Sequence, residues 1–253
     1  MKNPAAGGGR WVDVAPDRLV SWVITFTGRH GGARGGSPVS RDEDGAAVTF
    51  TAEDQATAEC HPPFPPLPLF PDTSDPVAAA GLIVAHAGAD RTVGVLLVRL
   101  GGYAVGVFAG SPPGLVSSKT GSRLVHGRSA AGGRSQHRFA RRRENQAATA
   151  LRAAADAAAG VFGRFGPDGL DAVVVGGDKR SIAGLRGDPR LAPYLDRATD
   201  RFLTVPDPRL AVLKDTPRAF LAIRIRLTEP GPGGPEPDGL VRAEPLDWTA
   251  CCR

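Results

Sequence analysis

Apolar residues recur at helical spacing early in the chain and at alternating spacing on either side of that segment. Pro16 and Asp17 open a helix, with proline in the first turn and an early acid. Leu19, Val20, Val23, Ile24, Phe26 and Thr27 give it an apolar stripe that stops near residues 28–32, where glycines gather. Residues 10–14 before it read as a short strand. Residues 47–51 and 56–60 read as a strand pair, with Glu53 and Asp54 in the turn. Residues 10–61 are thus expected to form a small α+β module, with residues 1–9 disordered ahead of it. Residues 62–79 are rich in proline, which forbids regular helix and central strand, and read as an extended linker between domains.

From Gly81 the pattern changes. Residues 92–100 and 103–109 are β-rich runs flanking Gly101 and Gly102, a hairpin signal. Residues 115–128 read as a further, more polar strand or strand pair. Residues 139–165 carry Ala147, Leu151, Ala154, Ala158, Val161, Phe162 and Phe165 on one helical face, and Gly166-Pro167 ends the pattern. Residues 171–177 form a buried type of strand. Residues 185–198 are helical in two pieces broken around Pro189, 201–205 a strand, and 210–219 a helix. Leu221, Ile223, Ile225 and Leu227 alternate with Arg224 and Arg226 as a last strand. Strand and helix alternate, so residues 80–229 are expected to be an α/β domain with a mixed sheet and flanking helices. Residues 230–253, rich in proline and glycine, are expected to be a disordered tail.

Composition adds little until charge is placed along the chain. The 253 residues are 42% hydrophobic, enough for a real core, with 33 glycines and 23 prolines. No apolar run is long enough to span a membrane and no leader segment is visible, so the expectation is a soluble cytoplasmic protein without a membrane partner. Three cysteines (Cys60, Cys251 and Cys252) lack the spacing of a disulfide framework. His30, His61, His86, His126 and His137 are scattered, with no metal-binding spacing, so no metal and no cofactor are expected.

The net charge is +5, yet residues 119–143 alone hold eight Lys/Arg and no acid, which leaves −3 (5 minus 8) for the rest. The cations are Lys119, Arg123, Arg128, Arg134, Arg138, Arg141, Arg142 and Arg143. One local patch of this density points to a polyanionic partner. If a helix starts near residues 135–138, positive charge crowds the end where the helix dipole disfavours it. Arg138 also repels Arg141 and Arg142 at i,i+3 and i,i+4. These penalties share one sign, and phosphate contacts would offset them. Within the patch, Gly132-Gly133 permits close backbone approach. Gln136 cannot act as a general base, because an amide does not ionise in the useful range. It can orient a water molecule. After the next strand, Gly176-Gly177-Asp178-Lys179-Arg180 reads as a tight turn into a helix rather than a phosphate cradle.

The run Gly132-Gly133-Arg134-Ser135-Gln136-His137-Arg138-Phe139-Ala140-Arg141-Arg142-Arg143 resembles the Gly-Gly-Gln loop and following helix of archaeal and eukaryotic class-one peptide-chain release factors. The strand and turn at 173–178 resemble the next part of that catalytic domain, and the likeness covers about residues 80–229. More closely, the chain resembles the actinobacterial branch of the Vms-like release factors, which are peptidyl-tRNA hydrolases. The resemblance implies a loop that enters the large ribosomal subunit and meets ribosomal RNA and peptidyl-tRNA. There Gln136, with Gly132, Gly133 and Ser135, would help water attack the peptidyl-tRNA ester on stalled ribosomes. The eight cations would hold RNA. Arg134 stands directly after Gly-Gly, where release factors carry Gln, and Ser135-Gln136 matches the Gly-Ser-Gln form of the Vms-like members. No segment resembles a codon-reading domain, so stop-codon decoding is not expected. The competing readings are a non-catalytic RNA- or ribosome-binding factor that uses the same basic patch and, more weakly, a metal-dependent nuclease.

Overall fold

The computed structural model of this chain describes residues 3–4, 8–34, 39–68, 74–99, 101–122 and 135–229, with backbone alone at 3–4 and 135–145. In chain order the first elements are β1 (Asn3–Pro4), β2 (Arg10–Val14), α1 (Pro16–Arg29), β3 (Val39–Arg41), β4 (Val48–Thr51), β5 (Thr57–His61) and α2 (Pro76–Ala87). There follow β6 (Val93–Arg99), β7 (Gly102–Ala109), β8 (Gly114–Ser122), α3 (Ser135–Phe162), β9 (Ala172–Gly177), α4 (Lys179–Leu185), α5 (Ala192–Leu195), β10 (Ala198–Leu203), α6 (Leu210–Phe220) and β11 (Ile223–Thr228). The strands make two sheets, which belong to two compact units. Described residues up to Ala89, joined by those from Leu221 onward, form the first. Asp90–Phe220 forms the second.

In the first unit the sheet runs β1-β2-β11-β5-β4-β3, and every pairing is antiparallel. Alternation puts Val48, Phe50, Ala58, Cys60, Ile223, Ile225 and Leu227 on one face. Leu19, Val23 and Phe26 of α1 and Ala79, Ala80, Ile83 and Ala87 of α2 join the same core. The β4–β5 turn is tied to the end of α1 by Asp54, whose carboxylate lies 2.7 Å from His30 Nδ1. Burial pushes the Cys60 thiol well above its ordinary range, so it is an inert core group.

The second unit holds a sheet in the order β10-β9-β6-β7-β8. β10, β9 and β6 are mutually parallel, and β7 and β8 add antiparallel. Strands β6, β7 and β9 are buried almost throughout, the mark of a sheet covered on both faces. Leu96, Val98, Val105, Val107, Val173 and Val175 pack with α3, α4 and α5 on one side. On the other, Phe220 of α6 meets Phe108 edge-on at 5.8 Å. The expected mixed sheet with flanking helices is therefore what the chain forms.

Three expectations change. Residues 62–68 are not a free spacer: Pro62, Pro63 and Leu67 are buried, and Leu67 bonds Gly45 and Arg41 through its backbone. The second half of the expected linker holds the start of α2, capped by Asp75, whose side chain accepts from Val77 N at 2.9 Å. Residues 69–73 lie outside the described ones. Second, β11 closes the first sheet, not the second. Its outward Arg224 and Arg226 fit a sheet with one open face and would be stranded in a sheet buried on both. The unit boundaries are therefore at 89–90 and 220–221, not at 79–80 and 229–230. Third, within the segment expected to be disordered at 1–9, Asn3–Pro4 pairs with β2. The expected tail at 230–253 lies outside the described residues.

Candidate functional site

The basic stretch belongs to the second unit, between the sheet edge and α3. Lys119 stands on β8 opposite Val105 and is exposed. Arg123, Arg128, Gly132, Gly133 and Arg134 lie outside the described residues. Ser135, Gln136, Arg138, Arg141, Arg142 and Arg143 occupy the first turns of α3, where the backbone alone is described. The helix thus begins at Ser135, four residues earlier than its apolar pattern suggests.

α3 has 28 residues, so it is about 42 Å long. Its C-terminal half is the anchor. Ala154, Ala155, Ala157, Ala158, Val161 and Phe162 are buried against the sheet, the small alanines letting helix and strands approach closely. Gly94 on β6 makes room for Phe162, since a Cβ there would lie 3.1 Å from the Phe162 ring. Among the described side chains of α3, burial begins at Ala150. Ala147, one turn earlier on the expected apolar stripe, is exposed. Along the helix axis Gln136 lies about 21 Å from Ala150. No acid occupies the first turn of α3.

β8 forms the other side of this region. It is the edge of its sheet, and Ser118, Lys119, Thr120 and Ser122 are exposed on both of its faces, with Val116 at 56%. Its partner β7 is buried on both faces, so β8 reaches past the cover that the helices give the rest of the sheet. No carboxylate lies on β8. Sequence reasoning picked out Lys119 here and missed the hydroxyls beside it, whose signal is the unusual run of polar residues at consecutive positions.

The turn after β9 is settled by its own side chains. Asp178 caps α4, accepting from Arg180 N, Ser181 N and the Ser181 hydroxyl, the last at 2.6 Å. Those bonds, led by the one from the Ser181 hydroxyl, hold its carboxyl below the usual value. The helix start is already satisfied by a carboxylate and offers nothing to a phosphate. Gly177 takes φ +98°, and a Cβ there would strike the Val98 carbonyl, so its glycine serves backbone packing. Among the described residues no group of His, Cys, Asp and Glu could hold a metal ion, and no helix is long and apolar enough to cross a membrane.

A family model described as Actinobacteria/chloroflexi VLRF1 release factor matches residues 91–226, just over half of the chain. That stretch takes in all but the first described residue of the second unit, spans the Gly132–Arg143 run in sequence, and reaches into β11. No curated protein matches. Among solved structures, the crystal structure of the archaeal translation termination factor aRF1 aligns at 14% identity and a TM-score of 0.38, covering 65% of this chain and 46% of that one. A second, described as an archaeal protein, aligns at 12% identity and a TM-score of 0.33, covering 66% and 48%. The chain spans about half the length of each.

Proposed function

Because the chain belongs to the Actinobacteria/chloroflexi VLRF1 release factor family, we propose that it is a peptidyl-tRNA hydrolase that frees nascent peptides from large ribosomal subunits. Water adds to the acyl carbon of the peptidyl-tRNA ester, the bond to the ribose oxygen breaks, and that oxygen leaves with a proton. Gln136 orients the attacking water through its amide. Gly132 and Gly133 let the tip come close to the ester, and backbone N–H groups there, with Ser135, stabilise the developing oxyanion. Lys119, Arg123, Arg128, Arg134, Arg138, Arg141, Arg142 and Arg143 hold ribosomal RNA and tRNA phosphates. No cofactor enters this scheme, and its setting is the cytoplasm.

The observation that carries the reading is the placing of Ser135 and Gln136 at the start of a 28-residue helix whose opposite half is anchored in a sheet. In this reading the helix serves as an arm that presents Gln136 to the ester. The ribosome and tRNA then supply the walls of the site. Arg134, in the place directly after Gly-Gly, favours the second reading, a ribosome-binding factor that uses the same cations without hydrolysis.

Purified ribosome–peptidyl-tRNA complexes separate the two. The wild-type protein is expected to release peptide, and Gln136→Ala to bind equally well but release about a hundredfold more slowly, the loss expected when a reacting water is misplaced. Equal release by both proteins overturns the assignment of Gln136. Binding without release by the wild type establishes the second reading.

A further inference from the structure

The first sheet hides its apolar face under α1 and α2. On its other face the alternating residues of β2, β11, β5 and β4 are all exposed or half-exposed. Register brings Trp11, Arg224 and His61 together there: Arg224 pairs with His61 on β5, and Trp11 lies one strand away on β2. The Arg224 guanidinium carbon is 4.4 Å from the Trp11 ring centre, and the His61 ring is 5.3 Å away, tilted by 56°. Trp11 is thus half-exposed on the open side, outside the core that α1 and α2 cover.

Charge on this face is nearly balanced. Glu59 takes up Arg226 at 3.0 Å and approaches His61 at 2.9 Å. Asp13 stands across from Arg224 in register, and the guanidinium lies over the indole. Apart from Trp11 the face is threonines, serine and charged groups, without the aliphatic side chains that form the centre of a protein–protein interface. What it offers is a set of flat π groups with hydrogen-bonding neighbours. That is the equipment that stacks unpaired nucleobases on RNA-binding sheets, where arginine planes serve beside aromatic rings.

We propose that this open face, centred on Trp11, Arg224 and His61, is a second RNA site that stacks an unpaired base. It assigns a role to the first unit, most of which lies outside residues 91–226. Only its choice of RNA as ligand rests on the release-factor reading.

The test uses the full chain with Trp22→Phe and Trp248→Phe, which leaves Trp11 as the sole tryptophan emitter. Titration with a short single-stranded oligoadenylate is followed by anisotropy of labelled RNA and by Trp11 emission. Stacking quenches Trp11, and Arg224→Ala lowers the affinity about tenfold, within the range that stacking a base contributes. Arg141→Ala with Arg142→Ala weakens binding but leaves quenching at saturation intact. RNA that binds without changing Trp11 emission, RNA that does not bind at all, or quenching by polyglutamate and not by RNA overturns the proposal. Peptide release is measured on the same protein, so loss of hydrolysis and loss of this site are read separately.

Discussion

The two sheets solve the same problem in opposite ways. The second is cut from one continuous stretch, Asp90–Phe220, and its strands β6, β7 and β9 are buried on both faces between helices. The first is closed by β11, which arrives from the far side of that stretch and lies between β2 and β5 near the middle of the sheet. Continuous apolar runs and alternating ones thus announce their sheets. Burial at successive positions, as in Ala172, Val173, Val174 and Val175 of β9, needs cover on two sides. Ile223, Ile225 and Leu227, with Arg224 and Arg226 between them, need one covered side and one wet one.

The sharpest way to break this comparison is to end the chain after Phe220. Ile223, Ile225 and Leu227 are fully buried, and each contributes about 1.5–3 kcal/mol by its burial. Together with the lost ladder to β2 and β5, this is comparable to the whole stability of a domain, about 5–15 kcal/mol. Hydrogen exchange is expected to show α1 and the β4–β5 hairpin unprotected while β6, β7 and β9 keep their protection. Protected α1 in the shortened chain would mean that β11 is dispensable. A smaller effect is expected inside the continuous unit. Phe162→Ala removes the ring that Gly94 accommodates and should cost about 3–5 kcal/mol in denaturant unfolding of that unit.

The smallest effect is at the cap of α4, where Asp178→Ala should cost about 1 kcal/mol. The Asp178 carboxyl titrates below its ordinary 3.8 in the folded protein, chiefly because the Ser181 hydroxyl donates to it. Its contribution is therefore complete above that ordinary value and is lost as pH falls through the lower folded one. The gap between wild type and variant, measured by thermal unfolding, is expected to hold at neutral pH and close below about pH 4. A gap that stays constant into acid would assign the cap no role for the ionised form.

Much of this was legible because local pattern and tertiary demand agree. Pro16 and Asp17 start α1, the 92–109 hairpin is announced by its paired glycines, and the alanine stripe of α3 marks its buried half. α2 was hidden for a physical reason. It shows Val77 and Leu82 to solvent while burying Ile83 and several alanines, so no amphipathic period marks it, and the prolines upstream disguise its start. The partner sheet of β11 was hidden because sequence order places it after α6, although its arginines already declared an open face. For the candidate site, the Gly132–Arg143 run carries the resemblance in its residue types, and the described part of it is helical backbone from Ser135 onward. The polar run of β8 marks an exposed strand but assigns its hydroxyls no chemistry, since serine and threonine there carry no spacing rule, and Trp11 reads only as one more strand residue.

The split assembly of the first sheet also fixes an order of events. During synthesis the stretch from β6 to α6 can fold as it emerges, but β2 and β5 must wait, because the strand that belongs between them is the last of the described elements to be made. For most of its birth the chain thus carries an open seam in its first sheet. That seam closes only after the ribosome has passed Thr228, so the first unit to be started is the second to be finished.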